Sequence, residues 1–317
     1  MINKQVITQI LAALAVVFSF QQVSLSQAEY PGVVKTYIRI NENNKQIKAS
    51  KISISTEILT IGGKEDTIKY TIYDIDGYLV KEVAKVDTSA DKRGEFITKN
   101  YTYIYNNYKL LTDKIDSTES IVKRYYLKYD ELYNVTSEEM FVNNKLAQKY
   151  EYEYDDLSRV IESNFRDLVN DCRITETYDY DSYNNLVKTT TRNRCIPGDN
   201  KAVETKYNYA YDKDYRILEK KTILPGSEFK SESFTYTADG KPETSSEITG
   251  TDHFIKRKYT YDKNSVKMQK TETKAELTSV SDLLIKYDNS GNRLIEEYFD
   301  QNGKVLYTYK FIYTYYK

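Results

Sequence analysis

An all-β chain of repeated antiparallel hairpins is what the sequence predicts, and three observations predict it. The first is tyrosine: 33 Tyr stand beside 10 Phe and no Trp, and Tyr is a strand former that carries a polar handle. The second is a repeat. Tyr-Asp or a close variant recurs at Tyr73-Asp74, Tyr105-Asn106, Tyr129-Asp130, Tyr154-Asp155, Tyr180-Asp181, Tyr211-Asp212, Tyr236-Thr237, Tyr261-Asp262 and Tyr287-Asp288, at intervals of 24 to 32 residues. The third is the alternation before each anchor, which has the period of two that a strand requires.

Taken in chain order, residues 1–28 have the layout of a signal peptide. Lys4 precedes an apolar run from Val6 to Phe20, and Ser26-Gln27-Ala28 fits a cleavage site. The run is short for a membrane span, and no later segment is apolar enough to cross as a helix, so no span is expected after signal removal. Residues 29–68 are expected to form N-terminal β strands, and residues 69–317 the hairpin repeats. With 46 basic and 47 acidic residues the net charge is −1, and the charges alternate locally. That balance excludes an electrostatic footprint for nucleic acid or anionic lipid.

Within a unit, Tyr150, Tyr152 and Tyr154 share one strand face while Lys149, Glu151 and Glu153 share the other. The same reading groups Tyr207, Tyr209 and Tyr211, and likewise Tyr101, Tyr103 and Tyr105. The Asp after each anchor suits the first position of a type I turn, where its carboxylate accepts a backbone N–H two residues on. Gly77, Gly240 and Gly291 stand where a left-handed residue closes a bulged hairpin. Lys109, Tyr133, Ser158, Asn184, Tyr215 or Ser265 holds that place elsewhere, and a left-handed Tyr costs roughly 1–2 kcal/mol, so a varied turn type is expected. Two strands per unit give roughly 16 to 20 strands, too many for an open flat sheet. The expected architecture is therefore one large coiled or half-shell sheet with the tyrosine ladders turned inward.

The units Tyr73-Asp74-Ile75-Asp76-Gly77, Tyr154-Asp155-Asp156-Leu157-Ser158-Arg159 and Tyr287-Asp288-Asn289-Ser290-Gly291-Asn292-Arg293 resemble the YD repeats of the RHS (rearrangement hotspot) family over roughly residues 69–317. The resemblance implies hairpins wound into a spiral sheet, secreted or surface placement, and roles in enclosing a toxin, contacting cells or binding carbohydrate. The family's core segment and toxin domain have no matching residues, so no catalytic carboxylate is carried over. Tyr298-Phe299-Asp300-Gln301-Asn302-Gly303-Lys304 resembles instead a MORN-type hairpin.

Cys172 and Cys195, the only cysteines, flank the Tyr180-Asp181 unit, and an exported chain with two cysteines favours a disulfide. A two- or four-residue loop sets them face to face. A three-residue bulged loop puts Arg194 opposite Cys172 unless a further bulge corrects the register. His253, the sole histidine, reads as a surface-loop residue, which leaves no His-rich zinc site and no serine or cysteine triad. Asp74-Ile75-Asp76-Gly77 is a turn rather than a calcium loop.

The reading is a non-enzyme with no catalytic residue, metal or cofactor, secreted, periplasmic or on the cell surface. It acts as an exported YD-repeat scaffold or binding protein that contacts carbohydrate or a cell-surface protein. Tyr150, Tyr152, Tyr154, Tyr207, Tyr209 and Tyr211 are its candidate ligand contacts. An outer-membrane β-barrel is the alternative, although both strand faces carry charge where a lipid-facing band is needed. A carbohydrate-active enzyme comes last.

Overall fold

The computed structural model describes residues 44–87, 96–118, 120–195, 201–227 and 229–317. The signal peptide and the first part of the 29–68 segment lie outside the described residues. Residues 44–49 form a short helix, and twenty strands follow. These are β1 (Ile52–Ile61), β2 (Lys64–Tyr73), β3 (Leu79–Asp87), β4 (Phe96–Tyr105), β5 (Leu111–Ser117), β6 (Val122–Tyr129) and β7 (Val135–Val142). Then come β8 (Lys145–Tyr154), β9 (Val160–Asp167), β10 (Cys172–Tyr180), β11 (Leu186–Asn193), β12 (Ala202–Tyr211), β13 (Ile217–Ile223) and β14 (Phe229–Tyr236). The last six are β15 (Pro242–Thr249), β16 (His253–Asp262), β17 (Ser265–Lys274), β18 (Leu277–Tyr287), β19 (Arg293–Phe299) and β20 (Val305–Tyr315).

Each strand pairs antiparallel with its sequence neighbours, so the chain is the expected single sheet of repeated hairpins. The coil is complete. β20 returns to β1 through a register running from Ile52↔Tyr315 to Ile61↔Tyr307, which closes the sheet into a barrel and leaves no open edge.

The turns explain the closure. Oδ1 of Asp130 accepts the backbone N–H of Leu132 and of Asn134 at 2.9 and 2.8 Å, and Tyr133 between them is left-handed, with φ 66°. Asp74, Asn106, Asp155, Asp181, Asp212, Asp288 and Asp300 make the same pair of bonds. Eight turns therefore share one geometry, those of Tyr133 and Tyr215 among them, although a varied turn type was expected there. Two backbone N–H bonds to an anchored side-chain oxygen offset the roughly 1–2 kcal/mol of left-handed strain at Tyr133 and Tyr215. Beyond each such turn the register slips by one residue, as between Ile104 and Tyr105 or Glu153 and Tyr154. A bulge adds right-handed twist, and repeated at one end of hairpin after hairpin it bends the sheet round on itself.

Two units depart from the pattern. Asp262 pairs with Ser265 across a two-residue loop, without bulge or left-handed residue, so the Tyr261 anchor does not build the common turn. Asp300, in the MORN-like segment, does build it, at the opposite end of the barrel, with Gly303 at φ 76°.

A second device joins one hairpin to the next. In four successive units the apolar residue five positions after the turn Asp or Asn is buried: Leu111, Val135, Val160 and Leu186 are 3, 7, 0 and 2 % exposed. Its carbonyl accepts the hydroxyl of the following anchor, as in Tyr129 to Leu111 (2.6 Å), Tyr154 to Val135 (2.7 Å) and Tyr180 to Val160 (2.8 Å). The anchor Tyr thus contributes ring burial and a hydrogen bond between hairpins that share no turn.

Cys172 and Cys195 form a disulfide, with Cα atoms 4.4 Å apart. The hairpin takes the bulged branch: Tyr180 pairs with Leu186, then the register slips so that Asp179 faces Lys188 and Ile174 faces Asn193. That extra residue brings Cys195 opposite Cys172.

Candidate ligand-binding site

A closed sheet has one concave and one convex face, and side-chain exposure separates them. Ion-paired side chains on the tyrosine side reach at most 35 % exposure, at Lys230, and Asp116, Lys270 and Glu82 are 13, 14 and 17 % exposed. On the other side, Lys128, Lys206 and Asp179 are 67, 59 and 55 % exposed. Side chains converge on a concave surface and splay on a convex one, so the tyrosine ladders line the lumen. All six predicted contacts, Tyr150, Tyr152, Tyr154, Tyr207, Tyr209 and Tyr211, are on that face by strand alternation.

They are not equivalent. Tyr154 and Tyr209 commit their hydroxyls to the Val135 and Leu186 carbonyls, at 2.7 and 3.0 Å, and serve the wall itself. Tyr150 and Tyr207 are half-buried. The Tyr150 ring lies 4.7 Å from Phe165 and stacks on Tyr152 at 6.2 Å, while Lys220 Nζ sits 5.2 Å from the Tyr207 ring centre. The hydroxyls of Tyr152 and Tyr211 are buried with no hydrogen-bond partner among the described residues. Burial pushes the Tyr211 phenol up to about 12 and the Tyr152 phenol higher still, with nearby Glu138 adding to the latter. Both remain neutral donors at physiological pH.

Polar side chains from the intervening strands interrupt the rings. Glu138 on β7 stands opposite Tyr150 and is 4 % exposed. Ser163 on β9 lies opposite Tyr152 and bonds the Tyr178 hydroxyl at 3.0 Å; that hydroxyl also donates to Glu176 at 2.7 Å, and Thr191 donates to the other Glu176 oxygen at 3.1 Å. Lys114 Nζ sits 5.2 and 5.4 Å from the ring centres of Tyr101 and Tyr125. Burial lowers its pKa, which weakens its hold on a proton. The wall alternates aromatic faces with isolated donors and acceptors, a surface suited to a polar, partly flat ligand. Sequence reading missed Lys114, Glu138, Ser163 and Glu176. Their signal was register, since each lies across from or along the strand from a ladder tyrosine.

His253 begins β16 rather than sitting in a loop, and its Nε2 lies 2.8 Å from Glu272. Asp76 is engaged by Lys48 at 3.0 Å and Lys109 at 3.2 Å, which fits the turn reading of that segment. Among the described residues no group of three or more His, Cys, Asp or Glu is arranged to hold a metal ion.

No known protein family and no curated protein matches the chain. Among solved structures, the Photorhabdus luminescens Tc holotoxin pore is similar at 14 % identity and TM-score 0.39, over 78 % of this chain and 16 % of that one. The chain therefore spans about one sixth of that protein's length. Porin-like proteins of Bacteroides uniformis and Bacteroides vulgatus are similar at 10 % identity, with TM-scores of 0.35 and 0.28, over 83 and 84 % of this chain and 98 % of each of theirs. At these scores none of the three assigns a function.

Proposed function

We propose that the protein is an exported YD-type hairpin barrel that stands in water and binds a carbohydrate or peptide ligand against the tyrosine wall of its lumen. The difference between the two faces carries this reading. Charged outward side chains occur at three levels below the Asp turns, interspersed with Ile72, Ile104, Tyr126 and Leu284: Lys128, Glu153, Asp179 and Lys286 one residue before the anchors, Glu151 and Lys258 three before, Arg124, Lys149, Lys206 and Asp282 five before. A lysine on a lipid-facing midplane costs roughly 2–4 kcal/mol, and charges scattered over these levels interrupt an apolar band. Inward, the half-buried Tyr150 and Tyr207 rings line the lumen, and because about eight strands suffice for a packed barrel, twenty leave room beside those rings. The Cys172–Cys195 disulfide supports an oxidising, extracytoplasmic location.

An outer-membrane barrel is the second reading. Closure of an even number of antiparallel strands favours it over an open scaffold. Fractionation separates the two: recovery in the soluble or alkaline-washed fraction supports the water-standing barrel, and retention in detergent-extractable membrane refutes it. Glycan-array binding then tests the ligand. Saturable binding lost in Tyr150→Ala and Tyr207→Ala supports the lumen wall, and binding unaffected by either change removes it.

A further inference from the structure

The Asp turns gather at one rim of the barrel, and over six consecutive turns they present large apolar side chains to solvent. Ile75, Tyr108 and the pair Leu132 and Tyr133 occupy the first three; Leu157, Tyr183 and Tyr215 occupy the next three. All seven are 56 to 72 % exposed. Neighbouring turns of the arc meet in two places: Tyr108 and Tyr133 approach to 5.9 Å between ring centres, as do Tyr183 and Tyr215. The other turns of the same rim hold only Ala238-Asp239-Gly240, Lys263-Asn264 and Asn289-Ser290-Gly291 at their tips.

The Asp bonds of one copy carry the left-handed strain at Tyr133 and Tyr215, but they do not call for large apolar side chains at solvent-facing tips. Tyr133 and Tyr215, like Lys109, Ser158 and Asn184, occupy the left-handed position that Gly77, Gly240 and Gly291 fill in the equivalent turns. Glycine is the unstrained solution there, and the chain uses it wherever the tip is polar or lies under the 44–49 helix. Strain combined with an exposed ring points to a contact outside the monomer.

We infer that this rim is a self-association surface on which a second copy of the chain seats its own arc. At about 200 Å² for a large side chain, seven residues exposed to this degree present roughly 900 Å². That exceeds the largest apolar patch of an ordinary monomer and matches the roughly 800 Å² per partner of a stable interface. An isologous contact also suits the order of residues. A two-fold axis between the Tyr133 and Leu157 turns sets Ile75 against the partner's Tyr215 and Tyr108 against the partner's Tyr183. Asp76, Glu131, Asp156 and Asp214 outnumber Lys109 and Lys213 at the tips of the arc, which disfavours an anionic lipid surface as the occupant. The inference does not depend on the ligand reading of the lumen.

Sedimentation equilibrium of the full chain over a wide concentration range tests it, alongside the doubly substituted Tyr133→Gly, Tyr215→Gly protein. A reversible dimer is expected for the native chain. The Gly variant is expected to dissociate at least about tenfold more readily while its melting temperature holds or rises, because the strain is gone. Tyr108→Ser with Tyr183→Ser, at unstrained positions, should weaken the dimer in the same way. A native chain monomeric at every concentration overturns the inference, as does a dimer whose constant neither variant changes. Pelleting of the native monomer with phosphatidylcholine vesicles also overturns it and assigns the rim to lipid.

Discussion

Replacing Asp288 by Ala removes three hydrogen bonds from one turn. Its Oδ1 accepts the backbone N–H of Ser290 and Asn292, each at 2.8 Å, and its Oδ2 accepts the Asn292 side-chain amide at 2.9 Å. Loss of a capping acceptor costs about 0.5–2 kcal/mol. Asn292 is 5 % exposed, so its stranded amide adds about 1–3 kcal/mol, for a total of roughly 1.5–5 kcal/mol. Asp288→Asn should cost only about 1 kcal/mol, because Asn106 makes the same two backbone bonds in its own turn at 2.9 and 3.0 Å. Acid adds an independent check. Burial alone would raise the Asp288 carboxyl; the Asn292 amide and the N–H groups of Asn292, Ser290 and Gly291 override it and hold the group below its ordinary 3.8. A depressed folded pKa contributes stability above the unfolded pKa that is lost as pH falls through the folded value. The native protein should therefore lose stability below about pH 4 more steeply than Asp288→Ala. Urea unfolding of the three proteins at pH 7 and across that acid range measures both effects. Equal midpoints for the Ala and Asn variants, or parallel acid profiles, would refute the assignment of the turn carboxylate as the element that holds these hairpins.

Cys172→Ser with Cys195→Ser opens a bridge that spans 23 residues and should cost about 3 kcal/mol, read as a lower unfolding midpoint that reductant reproduces only in the native chain. Tyr154→Phe removes a 2.7 Å bond to the Val135 carbonyl and should cost about 1–2 kcal/mol, whereas Tyr211→Phe, which removes a buried hydroxyl lacking a partner, should be neutral or stabilising; thermal melts distinguish them. Glu296 is 2 % exposed and ion-paired with Arg293, so Arg293→Met strands a buried charge at a cost of about 3–5 kcal/mol. Desolvation raises the Glu296 pKa even with Arg293 present. The folded form thus binds its proton more readily than the unfolded chain, and the Arg293→Met protein should recover stability as pH drops from 7 toward 5.

Much of this architecture is local and was legible in the chain. Period-two alternation identifies Tyr150, Tyr152 and Tyr154 as one face, because a strand has no other way to place them. The Asp of a unit usually identifies its turn, since the carboxylate and the N–H groups that donate to it lie within four residues. Locality also marks the limits. Tyr261-Asp262 has the anchor without the turn, while Phe299-Asp300 has the turn without the tyrosine, so the dipeptide is a weaker marker than the Asx bond it usually makes.

What the sequence by itself determined is therefore the hairpin, its turn and its alternating faces, all governed by contacts only a few residues apart. Three things only the tertiary structure decided. Closure of β20 on β1 accumulates from small bulge-driven rotations over the whole sheet, and no single unit contains it. The pairing of Cys172 with Cys195 turned on one bulged residue, which composition does not reveal. The division of identical tyrosines into wall, ligand face and rim depends on which carbonyl, ring or solvent each meets across strands that the linear sequence keeps roughly 20 residues apart.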